Sequence, residues 1–253
     1  MRVDRIDQLE KYILTNKSAS LDSLCEMFDV SKNTLRRDID TLVERGNIQK
    51  VYGGVVAVEK KQAVELRPFN ERSTLHLDLK ESIAAKMAKL IQDGDTIFMD
   101  TGSSTLPIID MLDHLSNVTI ITNSVPIIYG AISHPSLNVI ALPGTLNRST
   151  DSLVGAGCLD SLKNFHLKKA IMSCTGFSPE TGVCNASFAE YEIKRAAMSI
   201  SEEKYLVADH SKYNVTAMMS YARISQFNYL VTDEAPDAAL INYCAEAGTQ
   251  IVF

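Results

Sequence analysis

One nine-residue stretch decides the fold of the N-terminal region: Ser31-Lys32-Asn33-Thr34-Leu35-Arg36-Arg37-Asp38-Ile39. Its apolar residues Leu35 and Ile39, together with Leu42, follow the i, i+4, i+7 spacing that buries one face of a helix. A shorter amphipathic segment precedes it, so that residues 21–45 indicate a helix, a tight turn and a second helix. This arrangement is a common way for a protein to enter a groove of DNA.

The polar face of the second helix is crowded at the helix start. Asn33 and Arg37 point away from the apolar face, and Arg36 lies on its flank. Ser31 is a favourable N-cap, and Gly46 stands where a left-handed residue ends a helix. Polar donors at a helix start suit a recognition helix, whose first residues touch base edges while basic side chains hold phosphates. A solvated surface helix is the alternative, and the stretch alone favours neither.

The residues around this helix favour DNA binding. Two β-prone runs between Ile48 and Val58 meet at Gly53-Gly54, and such a pair supplies the positive φ angles of a two-residue hairpin turn. Two groups of apolar residues upstream predict two more amphipathic helices: Ile6, Leu9, Ile13 and Leu14, and then Leu21, Leu24, Cys25 and Phe28. Three helices and a hairpin predict a winged helix-turn-helix domain over residues 1–58.

Residues 1–58 resemble the DNA-binding domain of the DeoR family of bacterial sugar-metabolism regulators. The family pattern is Ser or Thr, two residues, Thr, an aliphatic residue, two basic residues, Asp and another aliphatic residue. The chain matches every position, with Ser31, Thr34, Leu35, Arg36, Arg37, Asp38 and Ile39. The resemblance implies that six residues face DNA: Ser31, Lys32, Asn33, Thr34, Arg36 and Arg37. It also implies that Asp38 is a local partner that orients an Arg. Within the family, residues 30–56 are similar to regulators of myo-inositol catabolism.

The distribution of charge limits how this domain can hold DNA. Residues 1–58 contain nine basic and nine acidic residues, and the remaining 16 basic and 22 acidic residues carry the whole net charge of −6. General binding to any polyanion is therefore not expected. DNA affinity must come from a local patch, strengthened by homo-oligomerisation to a dimer or tetramer. The residues of this patch are Lys32, Arg36, Arg37, Arg45 and Lys50.

Cysteine usage and hydropathy exclude several other classes of protein. The five cysteines form no CxxC pair and the five histidines are scattered, so neither a disulfide framework nor a metal site is indicated. No cofactor motif is present. No apolar run approaches the roughly 20 residues that span a bilayer, and the N-terminus is not a signal peptide. We expect a soluble, cytoplasmic protein without a membrane partner.

A polar segment over residues 59–75 is predicted to be a linker, and a second domain is predicted over residues 76–253. This domain begins with an amphipathic helix and continues with short apolar runs, with helical segments in most gaps. The runs are Thr96–Met99, Val118–Thr122, Val139–Leu142, Ala170–Met172, Tyr205–Ala208, Tyr229–Val231 and Gln250–Phe253. The alternation predicts an α/β domain with a largely parallel sheet covered on both faces.

Polar residues follow these strands, at the edge where open α/β sheets bind ligands. Asp100-Thr101-Gly102-Ser103-Ser104-Thr105 comes after the first strand and leads into a helix with Pro107 near its start. Free N–H groups and hydroxyls at a helix start can hold phosphate or carboxylate. Ordinary helix capping is the alternative. Lys212, in the segment after the fifth strand, would bring a cation to the same edge, unless it is simply solvated.

These segments resemble the effector domain of the DeoR family and, more distantly, ribose-5-phosphate isomerase. The resemblance implies a site for a phosphorylated sugar, with Asp100 at its floor. The implied contacts are Gly102, Ser103, Ser104, Thr105, Asn123 and Lys212. Arg148 and Lys194 are further candidates, because a second charge on the ligand would need a second cation.

An enzyme is the first alternative, because a sugar-phosphate site can catalyse isomerisation. The stretch Ser173–Phe177, where the isomerases carry acids, has no carboxylate. Glu190 and Glu192 lie downstream, where pairs with Lys194 and Arg195 on a helix surface are expected. We therefore predict no catalytic residues and a repressor that binds double-stranded operator DNA and is released by a phosphorylated sugar or sugar acid. An architectural DNA-binding protein is the second alternative.

Overall fold

The computed structural model describes residues 2–44, 48–57 and 67–253. The chain divides into two compact units, Met1–Gln62 and Ala63–Phe253, called here the N-terminal and C-terminal units. The division falls inside the predicted linker, 59–75, of which residues 59–66 lie outside the described residues. The rest of that segment includes a helix, Phe69–Thr74, which is held against the C-terminal unit by the buried Phe69 ring.

The N-terminal unit contains the three helices and the hairpin that the sequence predicts. The helices are α1 (Arg2–Asn16), α2 (Leu21–Phe28) and α3 (Lys32–Glu44), and the strands are β1 (Ser18–Ser20), β2 (Ile48–Val51) and β3 (Gly54–Ala57). The strands form an antiparallel sheet in the order β1-β3-β2. The predicted apolar faces meet in one core, which includes Leu35, Ile39 and Leu42 of α3, but the predicted Leu14 of α1 is 40% exposed and lies outside it. Arg45 and Gly46, predicted as a patch residue and a helix end, lie outside the described residues.

The hairpin turn lies one residue earlier than predicted. Val51 pairs with Gly54, so the two turn residues are Tyr52 and Gly53, and Gly53 has a φ of 78°. Gly54 belongs to the strand, where a Cβ atom would lie 2.5 Å from the carbonyl oxygen of Ala19. Gly54 therefore allows β1 to pack closely against β3. The local sequence pattern does not reveal this contact.

The C-terminal unit is built on a seven-stranded sheet in which all strands are parallel. Its order is β15-β14-β12-β9-β4-β5-β6. The strands are β4 (Thr96–Met99), β5 (Thr119–Thr122), β6 (Asn138–Ala141), β9 (Leu167–Ser173), β12 (Ser201–Val207), β14 (Tyr229–Val231) and β15 (Gln250–Val252). Each overlaps a predicted apolar run, although β9 and β12 begin three and four residues earlier than predicted, so the α/β prediction is confirmed.

Helices cover both faces of this sheet. The α-helices are α4 (Phe69–Thr74), α5 (Leu77–Ala88), α6 (Val125–Gly130), α7 (Ala156–Leu162), α8 (Phe188–Ile200) and α9 (Ala238–Ala247). Four 3-10 helices accompany them: Leu106–Met111, Ala131–Ser133, His210–Lys212 and Ile224–Gln226. Residues alternate between the two cores along each strand: Phe98 packs with α7, α8 and α9, whereas Ile97 and Met99 pack with α5 and α6.

Two small antiparallel sheets, which the sequence pattern did not predict, complete the unit. One has the order β10-β11-β13 and is formed by β10 (Gly176–Ser178), β11 (Gly182–Asn185) and β13 (Met219–Ala222). The other is a hairpin of β7 (Thr145–Asn147) and β8 (Ser152–Val154). Their strands have three or four residues each.

Candidate functional sites

The recognition helix α3 begins where the sequence predicts. The backbone N–H of Thr34 donates to Ser31 Oγ at 3.3 Å, and the Ser31 and Thr34 hydroxyls lie 3.0 Å apart. Ser31 is therefore the N-cap of α3. A helix start held in this way presents its free N–H groups and positive dipole end outward, which favours contact with phosphate.

The outward face of α3 carries most of the predicted DNA contacts. Lys32, Asn33, Arg36 and Arg37 are exposed, whereas Thr34 is half-buried beside the cap. Neither Arg36 nor Arg37 makes an ion pair with a side chain in the described part of the chain. The two guanidinium groups are thus available for a bidentate contact with a guanine edge or a phosphate.

Both predicted lysines of the patch are held by carboxylates. Lys32 Nζ lies 2.6 Å from Asp22 Oδ1, and Lys50 on the hairpin pairs with Asp40 of α3. The hydrogen bond and the charge of Asp22 raise the pKa of Lys32 above its ordinary value. Because all four side chains are largely exposed, these pairs are weak and can exchange for DNA phosphates.

Asp38 does not face outward, in agreement with its predicted local role. It is buried and accepts from Arg5 of α1 through Nε at 2.9 Å and Nη2 at 2.7 Å. The Arg that it orients is therefore 33 residues away in sequence. This pair joins α1 to α3 and fixes the recognition helix on its support.

Tyr52 is a candidate DNA contact that the sequence reasoning missed. It occupies the hairpin turn and is fully exposed. A phenol ring at the tip of a wing carries both an apolar face and a hydroxyl donor, which suits contact with a sugar-phosphate backbone. An aromatic residue in front of Gly53 was a signal that could have identified it.

A cavity of about 300 Å³ lies in the C-terminal unit. Its walls come from the segments that follow β4, β9 and β12, which are neighbours in the middle of the sheet, and from residues 67–80. Ligands bind outside the carboxyl ends of strands in such folds. The lining residues are Arg67, Arg72, Leu75, His76, Lys80, Gly102, Ser103, Cys174, Thr175, Asp209, Ser211, Lys212 and Val215.

Positive charge dominates this lining. Four side chains are cationic, Arg67, Arg72, Lys80 and Lys212, whereas Asp209 is the single carboxylate among the lining residues that the structure describes. Lys212 Nζ lies 3.6 Å from Asp209 Oδ2 and donates to Ser104 Oγ at 2.7 Å. The cavity therefore keeps a positive excess, which favours an anion.

Lys80 is an unusual lysine, because it is buried on the inward face of α5. It shares that face with Ile83, Ala84 and Met87. Its Nζ donates to the carbonyl oxygen of Leu75 at 2.6 Å and also to that of Arg72. Burial, followed by the charge of Lys212, lowers the pKa of Lys80 to about 8. In the sequence, Lys80 falls on the apolar face of the predicted helix. A lysine at such a position could have indicated this site, but it was not used.

Residues of the segment 67–80 form one wall of the cavity. Arg72 of α4 lies with its guanidinium 5.4 Å from the centre of the Phe69 ring, and its Nε donates to the carbonyl oxygen of Arg67 at 3.0 Å. Burial is the main cause that lowers the pKa of Arg72 from its ordinary value. Arg67 and Arg72 stand in a segment predicted to be a linker, so their role was missed.

Asp100, predicted at the floor of the site, is buried beneath the residues that line the cavity and does not line it itself. It pairs with Lys194 and accepts from Ser173 N at 2.9 Å and Ser173 Oγ at 2.5 Å. Burial alone raises the pKa of Asp100, but Lys194 and Ser173 together lower it below its ordinary value. Gly102 above it has no room for a side chain, because a Cβ atom would lie 1.9 Å from Ser173 Oγ.

Three other predicted contacts do not line the cavity. The Thr105 hydroxyl donates within its own loop, to the carbonyl oxygens of Asp100 at 2.6 Å and Gly102 at 2.7 Å. Asn123 is buried, and its amide donates to the carbonyl oxygen of Leu153 at 2.8 Å. Arg148 is exposed in the β7–β8 hairpin. The structure thus brings Gly102, Ser103, Ser104 and Lys212 together and leaves Thr105, Asn123 and Arg148 outside.

Glu190 differs from its predicted position on a helix surface. It is buried, and its Oε1 accepts from Thr101 Oγ1 at 2.7 Å and from Ser152 Oγ at 3.0 Å. The expected partner Lys194 pairs with Asp100 instead. Since hydrogen bonds hold Glu190 and it does not line the cavity, it has the environment of a structural carboxylate.

One group of possible metal ligands occurs in the described ranges. His210, Asp233 and Glu234 bring ligand atoms within 4.8 Å of one another. His210 Nδ1 lies 2.5 Å from Asp233 Oδ2, and this hydrogen bond raises the pKa of His210. An ordinary His–Asp pair accounts for the cluster. In the described residues no helix has the length and apolar character to cross a membrane.

Comparison with known families assigns both units. The model of the DeoR-like helix-turn-helix domain matches residues 5–61, and that of the DeoR C-terminal sensor domain matches residues 75–234. The chain belongs to the DeoR family. Among curated DeoR relatives, the transcriptional regulator IolR of Bacillus subtilis is 41% identical, with 97% of each chain covered. The glycerol-3-phosphate regulon repressor of Escherichia coli is 28% identical, with 92% of this chain and 91% of that protein covered.

DeoR membership confirms the family expected from the recognition helix. It also confirms the prediction of a DNA-binding regulator in place of an isomerase. Among solved structures, ribose 5-phosphate isomerase A of Methanocaldococcus jannaschii matches with a TM-score of 0.40 and 19% identity over 54% of each chain.

Proposed function

We propose that this DeoR-family protein represses a carbohydrate catabolic operon and is released from operator DNA when a phosphorylated sugar or sugar acid binds the C-terminal cavity. The observation that carries the proposal is the positive excess of the cavity. Four cations face a space that contains one carboxylate. A buried or half-buried cation without a counterion is costly, so the site is organised for an anionic ligand.

The ligand is a small phosphorylated molecule. In this proposal Lys212 and the Ser103 hydroxyl bind the phosphate, the buried Ser104 holds Lys212 by accepting from its Nζ, and Lys80 and Arg72 add positive charge. A cavity of about 300 Å³ is at the small end of the usual range for ligand pockets. Similarity to the glycerol-3-phosphate regulon repressor agrees with this ligand class.

A phosphorylated product of inositol catabolism is the finer candidate for the ligand. Residues 30–56 resemble myo-inositol regulators, and the similarity to IolR extends over nearly the whole chain. The cation-rich wall suits a ligand with a second negative charge, such as a sugar-acid phosphate, because Arg67 and Arg72 supply cations in addition to Lys212.

Ligand binding can reach the DNA-binding unit through the segment 67–76. This segment contributes Arg67, Arg72 and His76 to the cavity and directly follows, in sequence, the residues that join the two units. An anion that recruits these side chains changes the free energy of one arrangement of the segment relative to another. Each 1.4 kcal/mol of such preference is about a tenfold change in population.

The DNA contacts in this proposal are the predicted ones, with one addition. Ser31, Lys32, Asn33, Thr34, Arg36 and Arg37 contact the operator from α3, and Lys50 contacts it from the wing. Tyr52 at the wing tip is added because it is fully exposed. Two or more copies of the chain bind together in the cytoplasm, because a single domain with balanced charge has little affinity of its own.

Calorimetric titration of the full chain with phosphorylated sugars tests the ligand assignment. We expect saturable binding of at least one sugar phosphate, and weaker or undetectable binding of the same sugar without its phosphate. Inorganic phosphate measures the contribution of the anion alone. Equal affinity for the phosphorylated and unphosphorylated forms of every sugar tested would contradict the proposal.

A further inference from the structure

A second surface of the C-terminal unit is apolar where a free protein would be polar. Helix α6 runs directly into the 3-10 helix Ala131–Ser133. Its inner face packs into the core through Ile127 and Ala131. Its outer face carries Val125, Tyr129 and Ile132, which are 36%, 76% and 75% exposed and follow the i, i+4, i+7 spacing of one helical stripe. A helix that is apolar on two faces is normally covered on both.

The sheet edge that follows α6 in the chain is not paired with another strand in the described ranges. β6 is the last strand of the seven-stranded sheet and pairs with β5 on one side. Edge strands usually avoid pairing with other strands through lysines or other charged residues, or through prolines, but the sequence of β6 is Asn-Val-Ile-Ala. Ile140 of this strand is 39% exposed. An edge of this kind is typical of a strand that another chain covers.

Charged residues are missing from the segment of sequence that contains the stripe. Residues 114–147 contain no Asp, Glu, Lys or Arg, whereas such residues make up 22% of the chain. Asp110 and Asp113 stand just outside this segment and hold His134, at 3.1 Å and 2.6 Å. The stripe is thus fixed at its end and bounded by acidic side chains. A centre without charge and a polar rim are features of a protein interface.

The occupant that fits this surface is a second copy of the chain. The net charge of −6 makes contact between most pairs of surfaces on two copies unfavourable, whereas two uncharged faces do not repel each other. A two-fold contact uses the same patch on both partners, which a short apolar helical stripe satisfies. Winged helix-turn-helix domains also read paired half-sites as dimers. We propose that Val125, Tyr129 and Ile132 form the centre of a two-fold interface between two copies.

Sedimentation of full-length variants tests this interface. The double variant Tyr129→Glu/Ile132→Glu places four carboxylates at the proposed two-fold contact, and we expect its mass at micromolar concentration to be half that of the natural protein. The control Met218→Glu changes an equally exposed apolar residue outside the stripe and should keep the natural mass. The conservative variant Ile132→Leu should also keep it.

Three results would overturn the proposal. They are a monomeric natural protein, a double variant that keeps the natural mass, and a double variant whose melting temperature falls without any change in mass. The last result would mean that the stripe is covered within one chain. Circular dichroism of the double variant guards against unfolding, since both substituted side chains are mostly exposed and should not be needed for the fold.

Discussion

The DNA-binding unit and the sensor unit display their functional side chains in opposite ways. On α3 they are exposed, close together in sequence and attached to one helix, whose other face packs into the core. In the sensor cavity Lys80 is buried, Arg72 and Lys212 are half-buried and Arg67 is exposed, and these four cations come from three separate segments, 67–72, α5 and the 3-10 helix after β12. A binding face for a large polyanion must be open, whereas a pocket for a small anion must surround it.

The largest effect should come from the buried pair beneath the sensor cavity. Lys194→Met leaves Asp100 as a buried charge without its cation, so the free energy of unfolding should fall by about 3–5 kcal/mol. Lys163→Met, which removes an exposed pair with Asp160, should cost less than about 1 kcal/mol. Urea unfolding of both variants measures the difference. Equal stability of the two would mean that the Asp100–Lys194 pair does not support the sensor floor.

The second effect separates ligand binding from DNA binding. Lys212→Met removes the cation that contacts Ser104, and the affinity for the phosphorylated ligand should fall by about 1.5–3 kcal/mol. Operator affinity without ligand should stay the same. The matched variant Arg148→Met removes an exposed cation outside the cavity and should bind ligand normally. If both variants lost the same affinity, the general charge of the unit would be responsible.

The third effect is the loss of DNA binding without loss of ligand binding, and it concerns α3. Arg36→Ala should weaken operator binding by about 1–3 kcal/mol if the guanidinium contacts a base edge, because the hydrogen bonds and the charge are both lost. Ligand affinity should not change. Lys11→Ala, which removes an exposed charge from α1, is the control in fluorescence anisotropy with operator DNA. A ligand-binding defect in the Arg36 variant would show that the two functions are not separable.

The smallest effect is a pH dependence of ligand binding that arises from Lys80. Its pKa of about 8 means that the side chain loses its proton as pH rises from 7 to 9, and with it a positive charge that faces the anion. Ligand affinity should therefore fall by about tenfold across this range, because about a tenth of the side chains remain protonated one unit above the pKa. The variant Lys80→Gln should bind more weakly at pH 7 and lack this dependence. Calorimetry at three pH values would contradict the assignment if both proteins gave parallel curves.

The difference between the units also explains what the sequence could predict. Apolar spacing located α3, residue type located its Ser31 cap, and short apolar runs located all seven strands of the parallel sheet. Each of these features lies in one continuous segment of the sequence. The wing turn was shifted by one residue, since the contact of Gly54 with Ala19 joins distant segments. The cavity was predicted in part for the same reason. Ser103, Ser104 and Lys212 follow strands, whereas Arg67, Arg72 and Lys80 reach it from a segment with no strand nearby.

Polar residue type alone did not separate ligand contacts from structural groups. Asp100, Thr105 and Asn123 are in the predicted loops, but neighbouring groups already hold the Asp100 carboxylate, the Thr105 hydroxyl and the Asn123 amide N–H. Sequence spacing places a residue at an edge of the sheet without specifying which partner it finds there. The three-dimensional path of the chain decides whether a buried polar group keeps a donor or acceptor free for a ligand.

Operator affinity with and without the phosphorylated ligand tests the central claim most directly. Fluorescence anisotropy of the natural protein and of Lys212→Met would be measured on the same operator fragment at fixed salt concentration. We expect both proteins to bind the operator equally without ligand. At a ligand concentration that just saturates the natural protein, its operator binding should weaken by at least about tenfold, or 1.4 kcal/mol, with little change for the variant. Operator affinity that stays the same while the cavity is saturated with ligand would contradict release of the operator by the ligand.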